Sequence, residues 1–592
     1  MVSPISFEVN AHDIHAHLFA VKLTIACPKA NQIVSLPVWI PGSYLVREFS
    51  KHLQDLHAKQ ANAVVALKQL DKCSWLVNSI ANTPLVLHYK IYASDNSVRA
   101  AWLDSQRGFF NGTSLFLCVQ GQEDVQHLLT LKDIDLPTNW EVATALRPET
   151  ISRNGFGSYL ARNYDELVDS PVELGSFWSG CFEVADIPHR VIVAGAAPSF
   201  EGARLLTDIK TICETAIKFW HGKKPILENI PHRHYLFLLN AVHEGFGGLE
   251  HKNSTALICK RADLPSESQS DNGTPSNGYT TLLGLISHEY FHTWNVKRLR
   301  PKEFTRYDYT KENYTELLWF FEGFTSYYDE LLLCRAGLIS KSSYLELLSK
   351  SINQLLQTPG CGVQNVARAS FDAWVKFYRP DANSVNATVS YYTKGALIAL
   401  CLDSSLRQTG QANLDCLMRM LWLRCEGGPL TEDDLLAALA DLTGKSFSNE
   451  IAQWVHSTDD LPLKSSLNHL GVGYEYENTS LADQLGLQVN QQQGIFIKSV
   501  LRKSIAEQAG FSAGDEWLGV EMVQGGYLQR WRLTRIEDLH LLIGSSSIFQ
   551  ALISRDQRLL ILTISMPTIL TKRSVKLRSS DTRLLDEWLL SN

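Results

Sequence analysis

This chain has no Cys-x-x-Cys pair, no surplus of positive charge and no long apolar run. Its 11 cysteines are an odd number scattered singly from Cys27 to Cys425, and most sit in apolar surroundings such as Leu331-Leu332-Leu333-Cys334. That usage excludes a disulfide framework and suits a reducing compartment, with cysteine as a small core residue. Lys and Arg total 55 against 62 Asp and Glu, and the pI is near 6.2, which argues against a general nucleic-acid surface. No apolar stretch approaches the about 20 residues of a membrane span, and the start of the chain lacks a charged segment followed by an apolar block. The expectation is a soluble cytoplasmic protein, with no membrane or nucleic-acid partner and an oligomeric state left open. Internal repeats are absent, and low complexity is confined to residues 264–278, a polar run of turn formers expected to be a mobile loop. At 592 residues the chain exceeds what one core organises and should divide into three or four domains.

Against these absences stands one stretch, His288-Glu289-Tyr290-Phe291-His292. Leu282, Leu283, Leu285 and Ile286 lead into it, and Tyr290, Phe291 and Trp294 continue the apolar positions at helical spacing, which predicts a buried helix. Two histidines one turn apart share a face and can offer two nitrogens to one zinc ion. Glu289, about 100° round the helix, can then act as a general base. The bland alternative is a pair of core histidines satisfied by backbone. Directly after the motif, the cations Lys297, Arg298, Arg300 and Lys302 fit a helix C-terminus better than a phosphate site.

In chain order, residues 1–175 alternate in short segments, as in His17 to Ile25 and Leu85 to Tyr92, and predict an antiparallel β-sandwich-like domain. Residues 37–44, Pro-Val-Trp-Ile-Pro-Gly-Ser-Tyr, predict a rigid bend serving packing. Residues 176–260 remain strand-rich with one helical interval, and residues 279–460 are helical, so a cleft is expected between the halves of a domain spanning 176–462. The 264–278 loop stands before the motif as a rim or lid, or as plain surface. Residues 463–570 read as a small module of strands and short helices, and 571–592 as a basic tail with an amphipathic helix. The fold class is thus multidomain α+β.

A catalytic zinc with two histidines usually adds one carboxylate and keeps a position open. Glu303, Glu312, Glu316 and Glu322 are all candidates by spacing. Glu322, inside Trp319-Phe320-Phe321-Glu322-Gly323-Phe324, is the strongest on physical grounds, because a carboxylate among aromatics needs a cation.

These residues resemble a family. His288 to Pro301 and Leu318 to Thr325, together with residues 37–44, 164–171 and 247–251, are similar to the M61 glycyl aminopeptidases, relatives of the thermolysin-like M1 aminopeptidases. The resemblance covers essentially the whole chain. It implies a thermolysin-like catalytic domain, one zinc per chain held by His288, His292 and Glu322, and peptide substrates with a free amine. Glu322 lies further from His292 than its counterpart does in M1 relatives, so an insertion near the site is expected. Gly247, Gly248 and Glu250 match the segment that recognises the substrate amine, consistent with a fixed carboxylate pairing with an ammonium. Tyr392 matches the tyrosine that supports the oxyanion, with Tyr391 adjacent. Preference for N-terminal Gly, then Ala, is implied likewise. Residues 463–570 resemble bacterial PDZ domains, although Ile505 stands where proline is common. Peptide capture there and a structural role are both open expectations. Two other classes remain open: a peptide-binding adaptor without activity, and a zinc hydrolase of non-peptide substrates.

Overall fold

The computed structural model describes residues 4–266, 275–567 and 573–590. Alternation of apolar and polar residues builds the first domain, as in Ile5–Asp13, where Ile5, Phe7 and Val9 point inward. An eight-stranded sheet, with Ile5–Asp13 and Leu18–Ile25 near its middle, faces two four-stranded sheets across one core that includes Phe7, Val34, Val77, Phe110 and Val172. The domain is not wholly antiparallel, because Ile5–Asp13 pairs with His127–Lys132 in parallel. More than 100 residues separate these strands, enough chain for the crossover that parallel pairing requires.

Residues 37–44 leave this domain and enter the next. Val38, Trp39 and Tyr44 belong to the large core of the domain that follows, and the Trp39 indole donates to the carbonyl of Asp308 at 2.8 Å. The predicted bend is therefore a bridge between domains.

The second domain begins with a five-stranded sheet in the order Trp178–Val184, Ile187–Ala194, Tyr235–Val242, Ser254–Lys260, Gly247–Glu250. The three inner strands run parallel, and their near-continuous burial fits a sheet covered on both faces. Gly247–Glu250 joins antiparallel as an edge strand. The helical half follows. Asn277–Phe291 starts at Ser276, whose side chain accepts from the Tyr279 backbone N–H, and it buries Leu282, Leu283, Ile286, Tyr290 and Phe291. Leu318–Arg335 is buried on nearly every side, as its even distribution of aromatics requires. It crosses Tyr391–Gln408 at unusually close range: a Cβ at Gly323 would lie 2.5 Å from the Cα of Gly395. Only paired glycines permit that approach, and it sets Glu322 beside Tyr392.

Residues 293–317, expected to hold an insertion, form a structured connection. Arg300–Pro301 pairs with Pro429–Leu430, and the Tyr309 hydroxyl donates to Asp165 at 2.8 Å. Two cations of the basic cluster here have specific buried partners. Lys297 is buried and pairs with Asp169 at 2.8 Å, while Arg298 donates to the carbonyls of Pro231 and Thr293. Buried acceptors thus use these cations.

At the far end, residues 463–478 pack with the helical body rather than with the module that follows. Leu463–His469 lies on Tyr391–Gln408, and Val472–Asn478 pairs with Arg573–Ser579 as a two-stranded ladder contributing Val472, Val575 and Leu577 to the core of the second domain. Between the two strands sits a separate module with its own core, including Leu487, Ile497, Trp517, Ala551 and Ile564, on a six-stranded sheet. Asn386 of the body ties it down, donating to Val500 O at 2.8 Å and accepting from Arg502 N at 2.9 Å. The chain returns as Thr582–Leu589, which buries Leu585, Trp588 and Leu589. Among the described residues no helix is long and apolar enough to cross a membrane.

Candidate active site

Helix geometry turns His288 and His292 toward one point. His292 follows the last residue of its helix yet keeps helical backbone angles, and its ring lies 4.6 Å from that of His288, centroid to centroid. The two Nε2 atoms are 3.0 Å apart. From the neighbouring helix, Glu322 Oε2 reaches His292 Nε2 at 3.2 Å and His288 Nε2 at 3.7 Å. Of the other candidate carboxylates, Glu303 accepts from Thr315, Glu316 is exposed, and neither Glu303, Glu312 nor Glu316 joins this group.

The opposite ring nitrogens are held by acceptors. His288 Nδ1 donates to Asp329 at 3.0 Å, and His292 Nδ1 donates to the carbonyl of Asn295 at 2.8 Å. With Nδ1–H directed outward, each imidazole presents its Nε2 lone pair inward. Two nitrogens and one carboxylate oxygen converging this closely fit a zinc ion with an open position. The charges agree. Burial pushes the Glu322 carboxyl up, but His292 and His288 outweigh it and hold the pKa at about 2. Burial pulls His288 down, while its bonds to Asp329 and Glu322 more than offset this. The cluster therefore carries anionic groups that demand a partner cation, a proton or a metal.

Glu289 faces the same cavity, about 300 Å³ in volume. Burial raises its pKa to about 7, with His288 opposing and Glu250 adding to the rise. Its Oε2 has no hydrogen-bond partner. Gly248 leaves it room, since a Cβ there would fall 2.1 Å from Glu289 Oε1. Glu250, at the end of the same edge strand, comes within 4.8 Å of Glu289 and His292 by its carboxylate oxygens. Gly247 lies further along, next to Arg99. Tyr392 lines the cavity, its ring 6.3 Å from that of His288, and burial holds its hydroxyl protonated. Tyr391 stacks behind Tyr392 at 4.7 Å and does not line the cavity.

Several wall residues escaped sequence reasoning, among them Phe246, Asp329, Glu330, Arg99 and Tyr378. Asp329 follows Glu322 by seven residues, two helical turns on the same face, a signal that spacing alone could have supplied. Arg99 arrives from the first domain and Tyr378 from a loop, and nothing local marks them, while Gly42 lies in the 37–44 stretch, whose sequence predicts a packing bend rather than part of the site. Gly42 has φ +91°, and a Cβ on it would lie 2.5 Å from both carboxylate oxygens of Glu250. Of the 264–278 loop, residues 267–274 lie outside the described residues, so its expected role as a lid is not addressed by the structure.

Comparison with known proteins places this architecture. A family model described as the peptidase M61 N-terminal domain matches residues 6–176. A second, described as M61 glycyl aminopeptidase, matches residues 281–398, the span holding His288, Glu289, His292, Glu322 and Tyr392. The crystal structure of an aminopeptidase N family protein from Idiomarina loihiensis is 34% identical, covering 99% of this chain and 100% of that one with a TM-score of 0.91. The chain belongs to the M61 peptidase family. An M1 zinc metallopeptidase from Deinococcus radiodurans is similar more distantly, at 14% identity over 78% of this chain and 95% of that one, with a TM-score of 0.48. Comparison with curated proteins gives no match. In this M61 peptidase the catalytic match ends at residue 398, before the C-terminal module.

Proposed function

We propose that this M61 peptidase is a zinc aminopeptidase that releases small N-terminal residues, glycine and then alanine, from peptides. The observation that carries the reading is the convergence of His288, His292 and Glu322 in one cavity with the free carboxylates of Glu289 and Glu250. When bound by the first three, one zinc per chain supplies Lewis acidity. Glu250 pairs with the substrate ammonium and so selects a chain end, while Gly247 and Gly248 let the substrate backbone lie against the edge strand. Glu289, with a pKa of about 7, accepts a proton from the attacking water and passes it to the leaving amine. The Tyr392 hydroxyl donates to the developing oxyanion. Asp329 and the Asn295 carbonyl keep both imidazoles in orientation. The residue preference is supported by the description of the matching family as glycyl aminopeptidase. We read the C-terminal module as PDZ-like, with an orienting role supported by its attachment at Asn386.

Metal content and turnover test the reading together. His288→Ala should lose the about one zinc per chain, and Glu289→Gln should keep the metal and lose turnover. Glycyl, alanyl and leucyl amides compared with their N-acetyl forms complete the test. Equal rates on acetylated substrates would reject amine recognition by Glu250, and a zinc-free protein inert to all of them would leave only a binding role.

A further inference from the structure

Apart from the two histidines, the ionisable side chains of the cavity wall are carboxylates and tyrosines with one exception. Glu250, Glu289, Glu322, Asp329 and Glu330 line it, and the single cationic side chain other than histidine is Arg99. Arg99 comes from the first domain and donates from Nη2 to the carbonyl of Gly248 at 3.1 Å. Its Nε is buried without a hydrogen-bond partner, and among the described residues it makes no direct ion pair. A second arginine stands close: Arg47 donates to Ser43 at 2.7 Å, and burial with the nearby charge of Arg99 holds its pKa down at about 10. Its Nε too is buried and unpartnered. Among the described residues neither guanidinium forms a direct ion pair, although the Asp95 carboxylate acts on Arg47 at longer range, and guanidinium donors left unpaired in this way favour an arriving anion.

The edge strand fixes where that place lies. Glu250 sits against Gly42, Gly248 lies over Glu289, and Gly247 is beside Arg99, a Cβ there being 3.6 Å from Nη1. Gly247 and Glu250 are about 10 Å apart at the rise of a strand. An extended dipeptide reaches about 7 Å from its amine nitrogen to its carboxyl carbon. With its ammonium at Glu250 and its first carbonyl near Glu289, a substrate brings the carboxyl end of its second residue toward Arg99. This argument rests on the aminopeptidase reading above. We infer that Arg99 is a specificity residue that binds a carboxylate carried by the residue after the scissile bond, so that the favoured substrates are dipeptides or peptides with an acidic second residue.

The two sources of that carboxylate separate in one assay on the zinc-loaded full chain. Gly-Ala against Gly-Ala-amide reports the terminal carboxylate, and Gly-Asp-amide against Gly-Asn-amide reports the side chain. In each pair kcat/KM should favour the anion in the wild type, and Arg99→Ala should lower that ratio about 10- to 100-fold. Arg99→Lys should retain part of it, because charge persists without the fork. A merely structural role for Arg99, holding the glycine strand, would slow both members of a pair equally and leave the ratio unchanged. Preference in the first pair alone assigns a dipeptidase, and in the second alone a reader of acidic residues. A wild type with no preference for the anion in either pair overturns the inference even if the variants do not fold. Cleavage of Gly-Ala-amide in that same experiment keeps the aminopeptidase reading intact, whereas failure on every substrate rejects the aminopeptidase reading itself.

Discussion

Replacing Gly42 with alanine would test whether the first domain sets the position of Glu250, the proposed amine-binding carboxylate. The added Cβ falls 2.5 Å from both oxygens of Glu250, about 0.9 Å short of ordinary contact at 3.4 Å. Glu250 cannot keep its position unless the 37–44 segment retreats. That segment is pinned by the Trp39 indole on Asp308 and by the Val38 backbone N–H on Tyr309 O at 2.8 Å. The carboxylate is therefore the part that moves, and a displacement near 1 Å at a positioning group costs about 100-fold in rate, or about 2.7 kcal/mol. The left-handed backbone at φ +91° adds about 1–2 kcal/mol of strain to folding. The assay is kcat/KM on a glycyl amide, alongside zinc content and melting temperature. The expected result is a fall of about two orders of magnitude with metal retained and Tm lowered by a few degrees. Activity within threefold of wild type, in a variant that melts normally, would refute the placement of Glu250 by Gly42 or its contact with substrate.

Other perturbations address the frame around the site. Asp169→Asn leaves Lys297 buried without its counter-charge and should cost about 3–5 kcal/mol, read as a lowered Tm. Burial raises the Asp169 pKa, but Lys297 and His251 outweigh it and hold it well below the carboxylate range. Its stabilising effect is thus complete above about pH 4 and is lost as pH falls through the folded value. Burial holds His127 and His189 at about 4, so each favours unfolding as pH drops from 6.5 to about 4, by up to about 3 kcal/mol. A Tm that stays flat between pH 7 and 4.5 would contradict this. Trp588→Ala removes a fully buried side chain and its bond to the Tyr327 hydroxyl at 2.9 Å, and should cost about 3–5 kcal/mol by thermal unfolding.

What could be read in advance was the chemistry carried by neighbouring positions on one element. His288, Glu289 and His292 share a helix, and a carboxylate buried among the aromatics around Glu322 demanded a cation before any distance was known. Gly247, Gly248 and Glu250 stood out through their resemblance to a family segment, since on their own they read as readily as a glycine turn with a solvated carboxylate. Gly42 and Arg99 were not legible, because their meaning comes from packing between domains. A glycine in a proline-rich bend and an arginine before a short strand look ordinary until the first domain is set against the edge strand. The residues before the C-terminal module misled in a related way. Val472–Asn478 finds its partner at Arg573–Ser579, and a ladder across that separation leaves no local trace.

That ladder also says something about how the chain is put together. The polypeptide departs for the module and comes back at adjacent positions, Asn478 opposite Arg573. The module therefore hangs from the enzyme by both ends at once, like a pendant on a doubled cord. Its tether at Asn386 lies on the short helix just ahead of the segment that carries Tyr392. The module is thus fastened six residues from Tyr392, while changes in its size or identity cost the core of the body none of its own threading.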